Sequence, residues 1–235
     1  MLGVLGGMGP LATADFFHKL IDAAGAERDE QNIPTLIHSV PQLPSRPAAI
    51  LRGGESPLPA LLNARDRLLG AGATMLAMPC NTAHHWYDDL RRGLDVPFLH
   101  IVDAVAAELP PQALKLGIIA TAATLATRIY EVRLADGIEW LRPTAAQFEQ
   151  AVQPGIDAVK GNSAAAGGRL LEPVVADLLG RGAACVVLAC TELPVALDAI
   201  ASPLRDHCVD STAALARTCV RVWRERESAS AARYL

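Results

Sequence analysis

The sequence predicts an α/β protein built from two similar lobes, each a short and mostly parallel sheet flanked by helices. Short apolar segments alternate with segments of helical periodicity, which is typical of parallel sheets covered by helices. The 235 residues are 51% hydrophobic, which is enough for a full core. The second half of the chain also repeats the first. We therefore expect a pseudo-twofold axis between the lobes and an active site in the cleft between them.

The first half opens with a strand, a turn and a helix. The strand is predicted over residues 2–5, the glycine-rich turn occupies residues 6–9, and Pro10 is favourable in the first turn of the helix. A second strand is predicted over residues 35–40. Residues 41–59 are rich in proline, arginine and glycine, and they are predicted to form a long functional loop.

The remainder of the first half adds a helix, a strand and a polar turn. The helix is predicted over residues 61–69, and Gly70 favours its end. Residues 73–78 are predicted to form a buried strand. Beyond this strand, Asn81 and Thr82 carry side-chain oxygens that favour the start of another helix.

The internal repeat is the strongest evidence for two lobes. Three segments align without gaps: residues 3–13 on 117–127, residues 72–80 on 182–190, and Val102-Asp103 on Val209-Asp210. Their offsets are 114, 110 and 107 residues. The strand, turn and helix at the start of each half are therefore predicted to be equivalent.

The repeat places a cysteine after the same strand in each half, Cys80 and Cys190. Ligands bind beyond the carboxyl ends of parallel strands, so we expect both thiols to face one cleft. A helix N-terminus stabilises a thiolate, and this effect is expected to lower the pKa of both thiols. Two thiols on opposite sides of a carbon atom can remove a proton from one face and return one to the other. Cys185, Cys208 and Cys219 are expected to pack in the core.

The composition excludes several classes of function. A net charge of −4 without a basic cluster offers no footprint for nucleic acid. The longest apolar run, residues 183–190, is shorter than the roughly 18 residues that a membrane helix needs. We predict a cytoplasmic protein with reduced thiols, because we recognise no secretion signal and no CxxC pair. A zinc site of Cys80, His84, His85 and Cys190 is disfavoured because the spacing matches no structural finger, so no metal is predicted.

Three motifs carry a resemblance to a known family: Gly6-Gly7-Met8-Gly9-Pro10, Pro79-Cys80-Asn81-Thr82-Ala83-His84 and Cys190-Thr191-Glu192-Leu193-Pro194. Together they resemble the cofactor-independent aspartate/glutamate racemase family, of the Asp/Glu/hydantoin racemase superfamily. The resemblance implies an isomerase that interconverts L- and D-aspartate or glutamate, uses Cys80 and Cys190 as its two bases, and needs no cofactor. It also implies a homodimer whose C-terminal helix returns to the first lobe. Residues 1–102 plus 208–235 would then form one lobe, and residues 103–207 the other.

Polar residues beside the two cysteines are predicted to bind an amino acid. Asn81, Thr82 and Thr191 can donate hydrogen bonds to the α-carboxylate, whose charge must be offset if the α-carbon is to become a carbanion. Glu192 can orient the ammonium group or tune the neighbouring thiol. The backbone amides around Met8 stand at a helix start and can bind an anion.

The resemblance adds candidates from other segments. It places a substrate-binding threonine opposite the glycine turn, where Thr124 is favoured and Thr121 is close behind. The family's Pro-Asp-Arg-Thr loop reads Pro-Ser-Arg-Pro here, which keeps Arg46 as a cation for a side-chain carboxylate. Lys160 is a second cation, and Gln42 stands where the family often has aspartate. The altered loop leaves the choice between aspartate, glutamate and other amino acids open.

Parts of the sequence also match other functions. Residues 7–12 fit a GxGxxA dinucleotide pattern, but the second strand does not end in the acid that this pattern requires. Pyridoxal phosphate needs a Schiff-base lysine, and none of the three lysines follows a glycine-rich phosphate loop as expected. An enzyme like maleate cis-trans isomerase or arylmalonate decarboxylase, on the same fold, stays open as an alternative. A noncatalytic amino acid-binding protein is less favoured, because binding alone needs no thiols.

Overall fold

A computed structural model describes residues 1–134 and 136–231 of the chain, which form two four-stranded parallel sheets. The first sheet contains β1 (Leu2–Gly6), β2 (Thr35–Ser39), β3 (Met75–Ala77) and β4 (Phe98–Leu99). The second sheet contains β5 (Lys115–Ala120), β6 (Glu139–Leu141), β7 (Val186–Ala189) and β8 (Cys208–Asp210). We call the parts built on these sheets the first lobe and the second lobe. The predicted α/β class with two lobes is confirmed.

Helices flank both sheets: α1 (Pro10–Ala24), α2 (Arg46–Arg52), α3 (Leu58–Gly70), α4 (Tyr87–Arg91), α5 (Ile101–Ala106), α6 (Ala122–Thr127), α7 (Ile129–Arg133), α8 (Ala145–Gln147), α9 (Gln153–Lys160), α10 (Ala164–Gly180), α11 (Glu192–Asp198) and α12 (Ser211–Ala231). Short 3₁₀ helices occupy Asp29–Gln31, Thr82–Trp86 and Pro203–His207, and Phe148–Val152 is π-helical. Among the described residues, no helix combines the length and the apolarity needed to cross a bilayer.

The helix α1 shows how the local sequence specifies an element. Pro10 stands in its first turn, where the missing N–H is tolerated. Phe16, Leu20 and Ala24 are spaced four residues apart and bury one face against the sheet core. Gly25 ends the helix with a φ of 52°, a left-handed conformation that favours glycine.

The strand register confirms the two longer repeats. The strand orders β2-β1-β3-β4 and β6-β5-β7-β8 are equivalent. Gly3 pairs with Leu76 and Gly117 pairs with Val186, which reproduces the offsets of 114 and 110. A Cβ atom at Gly3 would lie 2.8 Å from the Leu76 side chain, and one at Gly117 would lie 3.0 Å from Val186. Both lobes therefore need glycine where the first strand crosses its neighbour.

The third repeat, Val102-Asp103 with Val209-Asp210, is wrong. Leu99 pairs with Ala77 and Val209 pairs with Val187, so the offset stays at 110 in this region. Residue 100 is therefore equivalent to residue 210, and the Val-Asp match is a coincidence of composition. The dipeptide at 102–103 lies in α5, whereas that at 209–210 lies in β8.

The predicted lobe boundaries also need correction. The strand β8 pairs with β7 in the second sheet, so the segment that leaves the second lobe begins at α12 and not at residue 208. The boundary predicted between residues 102 and 103 falls inside α5. The helix α12 packs along α1 and α5, so apolar burial decides where this segment lies.

The predicted loop over residues 41–59 contains the helix α2. Ser45 caps this helix, because its side-chain oxygen accepts a hydrogen bond from the amide of Ala48. Pro47 fits the first turn, where a proline needs no hydrogen-bond partner. The proline and arginine content that suggested a loop is thus compatible with a short capped helix.

A shared core lies between the two sheets. It joins Leu2 and Val4 of β1 to Leu116 and Ile118 of β5, and α12 contributes Leu215 among others. Each lobe has a second apolar cluster on the outer face of its sheet. The central cluster contains side chains from both sheets, so the two lobes share this core.

Candidate active site

The two cysteines line one cavity at the carboxyl ends of β3 and β7. Cys80 and Cys190 are each 6% exposed. The cavity measures about 30 Å³, and a pocket of about 400 Å³ adjoins it. The two spaces share five lining residues: Met8, Arg46, Lys160, Thr191 and Glu192. The larger pocket therefore leads to the thiols.

The structure brings most of the predicted site residues together. Those that line the small cavity are Met8, Arg46, Cys80, Asn81, Thr82, Thr121, Lys160, Cys190, Thr191 and Glu192. Thr124 stands behind them and contacts Thr82 and Thr121. Gln42 is exposed and lines neither space, so the structure does not bring it to the other predicted site residues.

The thiol of Cys190 is bonded to a carboxylate. Its Sγ donates to Oε2 of Glu192 at 3.0 Å, and the Thr191 hydroxyl donates to the same oxygen at 2.9 Å. Glu192 is only 5% exposed. Burial raises the pKa of the Cys190 thiol well above its ordinary value, and the Glu192 carboxylate raises it further.

The thiol of Cys80 has a different environment. Burial raises its pKa above the ordinary value, while the positive charge of Arg46 counteracts this effect. The Glu192 charge raises the pKa of Cys80 as well, but by less than Arg46 lowers it. The expectation that helix starts lower the pKa of both thiols is therefore wrong. A 3₁₀ turn follows Cys80 and the short α11 follows Cys190, and these elements do not offset the loss of water.

Three threonine hydroxyls form a ring across the two lobes. Thr82 of the first lobe lies 3.0 Å from Thr121 and 2.8 Å from Thr124 of the second lobe, and the latter two are 3.0 Å apart. Thr121 also caps α6 by accepting a hydrogen bond from the Thr124 amide. Because each hydroxyl has one hydrogen, a ligand that accepts a bond from the ring must displace one of these contacts.

Asn81 makes its contacts across the lobes. Its Nδ2 donates to Ser211 Oγ at 2.9 Å, and its Oδ1 accepts from the Tyr130 hydroxyl at 2.6 Å. Its side chain does not cap the following helix, contrary to the prediction. Sequence reasoning missed Tyr130 and Ser211, because neither lies in a recognisable motif. The only signal was that Ser211 follows Asp210 at a helix start.

Two cations line the cavity, one from each lobe. Arg46 of α2 donates from Nη1 to the carbonyl oxygens of Leu43 and Pro44, at 3.2 and 3.1 Å. Its remaining N–H groups can still meet an anion. Lys160 ends α9, and no ion pair joins it to another residue in the described ranges. The site therefore carries positive charge suited to a carboxylate.

Some backbone groups of the glycine turn near Met8 are already hydrogen-bonded within the first lobe. Gly7 has a φ of 93°, and a Cβ atom there would lie 2.2 Å from the amide nitrogen of Val40. The Gly7 amide donates to Thr13 Oγ1 at 2.8 Å, and Thr13 donates to the Gly9 carbonyl at 3.0 Å. The predicted anion site can therefore use the amides of Met8 and Gly9 but not that of Gly7.

His84 supports the loop that carries Cys80. Its Nδ1 lies 2.8 Å from the Cys80 carbonyl oxygen, and its Nε2 accepts from the Ile101 amide at 3.1 Å. Burial lowers the pKa of His84 to about 4. Both ring nitrogens are occupied, so His84 is not available to a metal. Among the residues that the structure describes, no three His, Cys, Asp or Glu side chains are placed to hold a metal ion.

Comparisons with known proteins match most of the chain to one protein family. The family model described as Asp/Glu/Hydantoin racemase matches residues 5–219. The broad specificity amino-acid racemase RacX of Bacillus subtilis (strain 168) is 31% identical over 230 residues, which cover 95% of this chain and 98% of that protein.

Solved structures show the same architecture. The aspartate racemase of Picrophilus torridus is 30% identical, with a TM-score of 0.80 over 93% of both chains. The glutamate racemase of Francisella tularensis, solved with D-glutamate, is 17% identical and has a TM-score of 0.63 over 96% of this chain and 81% of that one. At this identity the second likeness shows the fold alone.

Proposed function

The chain belongs to the Asp/Glu/hydantoin racemase family, and from this premise we propose that it interconverts L- and D-aspartate or glutamate without a cofactor. Cys80 and Cys190 act as the two bases. One observation carries the proposal: both thiols line one small cavity at the ends of equivalent strands, among hydrogen-bond donors and two cations. This arrangement suits an amino acid whose α-carbon lies between the thiols.

The proposed reaction moves two protons. One cysteine, as a thiolate, takes the α-proton and becomes a thiol, which leaves a carbanion on the substrate. The other cysteine, as a thiol, donates its proton to the opposite face and becomes a thiolate. Asn81 offers its second N–H to the α-carboxylate, where the negative charge of the carbanion spreads. The hydroxyls of Thr82 and Thr191 can donate there when they give up their bonds within the threonine ring and to Glu192. The product is the mirror image of the substrate.

The raised pKa of both thiols supports a role as strong bases. The proton of an amino acid α-carbon is a weak acid, and a thiolate of higher pKa removes it more readily. The cost is that less thiolate exists at neutral pH. We propose that Glu192 accepts the proton of Cys190 when the substrate binds, because the thiol already donates to its carboxylate at 3.0 Å.

The choice of a dicarboxylic substrate depends on Arg46 and Lys160. Either cation can pair with a side-chain carboxylate. A broader amino acid specificity is the second candidate, because the chain is 31% identical to a racemase named for broad specificity. Two further observations favour this candidate. Arg46 already donates hydrogen bonds to two backbone carbonyls, and Ser45 and Pro47 stand where the family has aspartate and threonine.

The deciding experiment is incubation with single enantiomers in heavy water. Each enantiomer of aspartate, glutamate, alanine and lysine is supplied, and chiral chromatography with mass spectrometry follows the product. We expect the opposite enantiomer to appear with deuterium at the α-carbon, fastest for aspartate or glutamate. Equal rates for all four amino acids would favour the broader specificity.

The same samples separate the rival functions. Conversion of maleate to fumarate, or loss of carbon dioxide from an arylmalonate, would replace the proposal with those enzyme types. A thermal shift on adding amino acids, with neither deuterium incorporation nor inversion, would indicate a binding protein.

The homodimer and the cytoplasmic location also stay proposals that the family supports. Light scattering on the purified protein tests the first, with a mass near twice 24.8 kDa expected. Fractionation of cells that express the chain tests the second.

A further inference from the structure

The side-chain amide of Asn81 has one allowed orientation. Ser211 Oγ donates its only hydrogen to the carbonyl oxygen of Leu188 at 2.8 Å, so it can only accept from Asn81. The amide nitrogen must therefore face Ser211, at 2.9 Å, and the amide oxygen must face the Tyr130 hydroxyl, at 2.6 Å. This orientation of the amide satisfies the contacts of Ser211, Asn81 and Tyr130 at the same time.

Tyr130 is a permanent donor in this arrangement. It is 1% exposed, and burial raises the pKa of its hydroxyl above the ordinary value, so the hydroxyl is protonated at neutral pH. Its ring packs edge-on against Trp140 with the centroids 6.1 Å apart. The hydroxyl has a single hydrogen, and Asn81 receives it.

Ser211 is fully buried at the capped start of a helix. It is the first residue of α12, and Asp210 caps that helix by accepting hydrogen bonds from the amides of Thr212 and Ala213, at 2.9 and 3.0 Å. Asp210 also pairs with Lys19 of α1 at 2.8 Å. Both partners of Asn81 come from beyond β5, whereas Asn81 follows β3.

The Asn81 amide nitrogen has a second hydrogen. Ser211 uses one, and no other acceptor for Nδ2 occurs among the residues that the structure describes. Asn81 lines the cavity of the two thiols, whereas Tyr130 and Ser211 line neither that cavity nor the adjoining pocket. We propose that Tyr130 and Ser211 are positioning residues that hold the Asn81 amide so that its second N–H meets the α-carboxylate of the amino acid. This inference rests on the proposed function.

The kinetic test is Tyr130→Phe, which removes the hydroxyl and keeps the ring. The amide is then held by Ser211 alone and its second N–H is less precisely oriented, so we expect KM to rise about 5- to 10-fold, the effect of losing one hydrogen bond, with a smaller change in kcat. Ser211→Ala should give the same pattern. Since both act through Asn81, neither should change kcat/KM further in an Asn81→Ala background.

The matched controls are Tyr87→Phe and Ser202→Ala. The Tyr87 hydroxyl is also buried and donates at 2.6 Å, but to the Phe98 carbonyl, and Ser202 donates to Glu172 at 2.6 Å. These variants should lose comparable stability and keep the wild-type KM. An unchanged KM in Tyr130→Phe, or a full effect in the Asn81→Ala background, would overturn the inference.

A spectroscopic test needs no substrate. The side-chain NH₂ signals of Asn81 in a nitrogen–proton correlation spectrum are assigned by their loss in Asn81→Ala. They should shift in Tyr130→Phe and Ser211→Ala but not in Tyr87→Phe. Signals that stay in place in the first two variants would overturn the positioning role. A wild-type protein that racemises no amino acid would refute the proposed function instead, and the spectrum would still decide the orientation.

Discussion

The two cysteine sites occupy equivalent places in the fold but differ in chemistry. The register that relates β3 to β7 makes Asn81 equivalent to Thr191 and Thr82 equivalent to Glu192. Thr82 belongs to a ring of neutral hydroxyls, whereas Glu192 accepts a hydrogen bond from the Cys190 thiol. The pseudo-twofold axis therefore repeats the positions of the thiols but not their acidity.

The helix caps after β4 and β8 show the same principle. His100 Nδ1 accepts from the Val102 amide at 3.1 Å, and at the equivalent position Asp210 Oδ1 accepts from the Thr212 amide at 2.9 Å. A neutral imidazole thus caps one helix, and a carboxylate caps the equivalent helix. Because they respond differently to acid, the two lobes are unequal in this respect as well.

The largest expected effect comes from removing either thiol. In Cys80→Ala and Cys190→Ala, racemisation should fall by about 10³-fold or more, because one face of the α-carbon loses its acid–base group. Each variant keeps one base, so it should still exchange the α-proton of one enantiomer with heavy water. One variant should exchange the α-proton of the L-enantiomer and the other that of the D-enantiomer. Mass spectrometry of each isomer would measure the deuterium it gains.

Cys208→Ala is the matched control for these variants. Cys208 is partly buried and lies away from the cavity. It should keep wild-type rates. If both thiol variants exchanged the α-proton of the same enantiomer, the hypothesis that the two cysteines act on opposite faces of the α-carbon would be wrong.

The next largest effect should come from removing the Glu192 charge, which acts on the pKa of the two thiols. Glu192→Gln removes the negative charge that raises the pKa of Cys190, so the thiolate should form at lower pH. The pH at which iodoacetamide alkylates Cys190 should move down, with a smaller shift at Cys80, as peptide mass spectrometry would measure. We also expect kcat/KM to fall about 10- to 100-fold if Glu192 accepts the thiol proton.

Glu172→Gln controls for the loss of a carboxylate that accepts a hydrogen bond. Glu172 receives its bond from Ser202, outside the cavity. An unchanged alkylation profile of Cys190 in Glu192→Gln would show that the two thiols do not differ through this charge.

Acid should destabilise the folded protein through the buried His84. Burial lowers the pKa of His84 from 6.5 to about 4, so the folded state binds its proton more weakly than the unfolded state. The contribution of neutral His84 to the free energy of unfolding is fully present above pH 6.5 and is lost as the pH falls toward 4. At pH 5 the loss amounts to about 2 kcal/mol. Urea unfolding at pH 7 and pH 5 would measure it.

His84→Gln should remove most of this difference, because glutamine does not titrate. The exposed neighbour His85 provides the control, since His85→Gln should leave the difference intact. A wild-type difference unchanged in His84→Gln would assign the acid sensitivity elsewhere.

The smallest expected effect compares the two cations. If Arg46 binds the side-chain carboxylate, Arg46→Gln should raise KM for aspartate about 5- to 10-fold and leave KM for alanine unchanged. Lys160→Gln tests the other lobe in the same way. Arg52→Gln, at the exposed end of α2, is the control. Equal effects on aspartate and alanine would assign the cation to the α-carboxylate instead.

Much of the fold could be predicted because its signals are local. Apolar runs, Pro10 and the glycine turn report on neighbouring residues, and the repeat reveals equivalent strands. Most of the predicted site residues also lie around the cavity, because the motifs that contain them follow strands that end at one edge of a sheet. Gln42 lies outside both spaces, and the composition of its segment did not reveal the helix α2 that follows.

By itself, the sequence determined the α/β class, the two lobes and the pair of equivalent cysteines. Only the tertiary structure decided which partners those residues meet. Tyr130 and Ser211 reach Asn81 across 49 and 130 residues, a distance in sequence over which no local pattern carries information. The direction of the thiol pKa shifts depended on the same packing, since burial is its largest cause and a thiol is buried only in the folded protein.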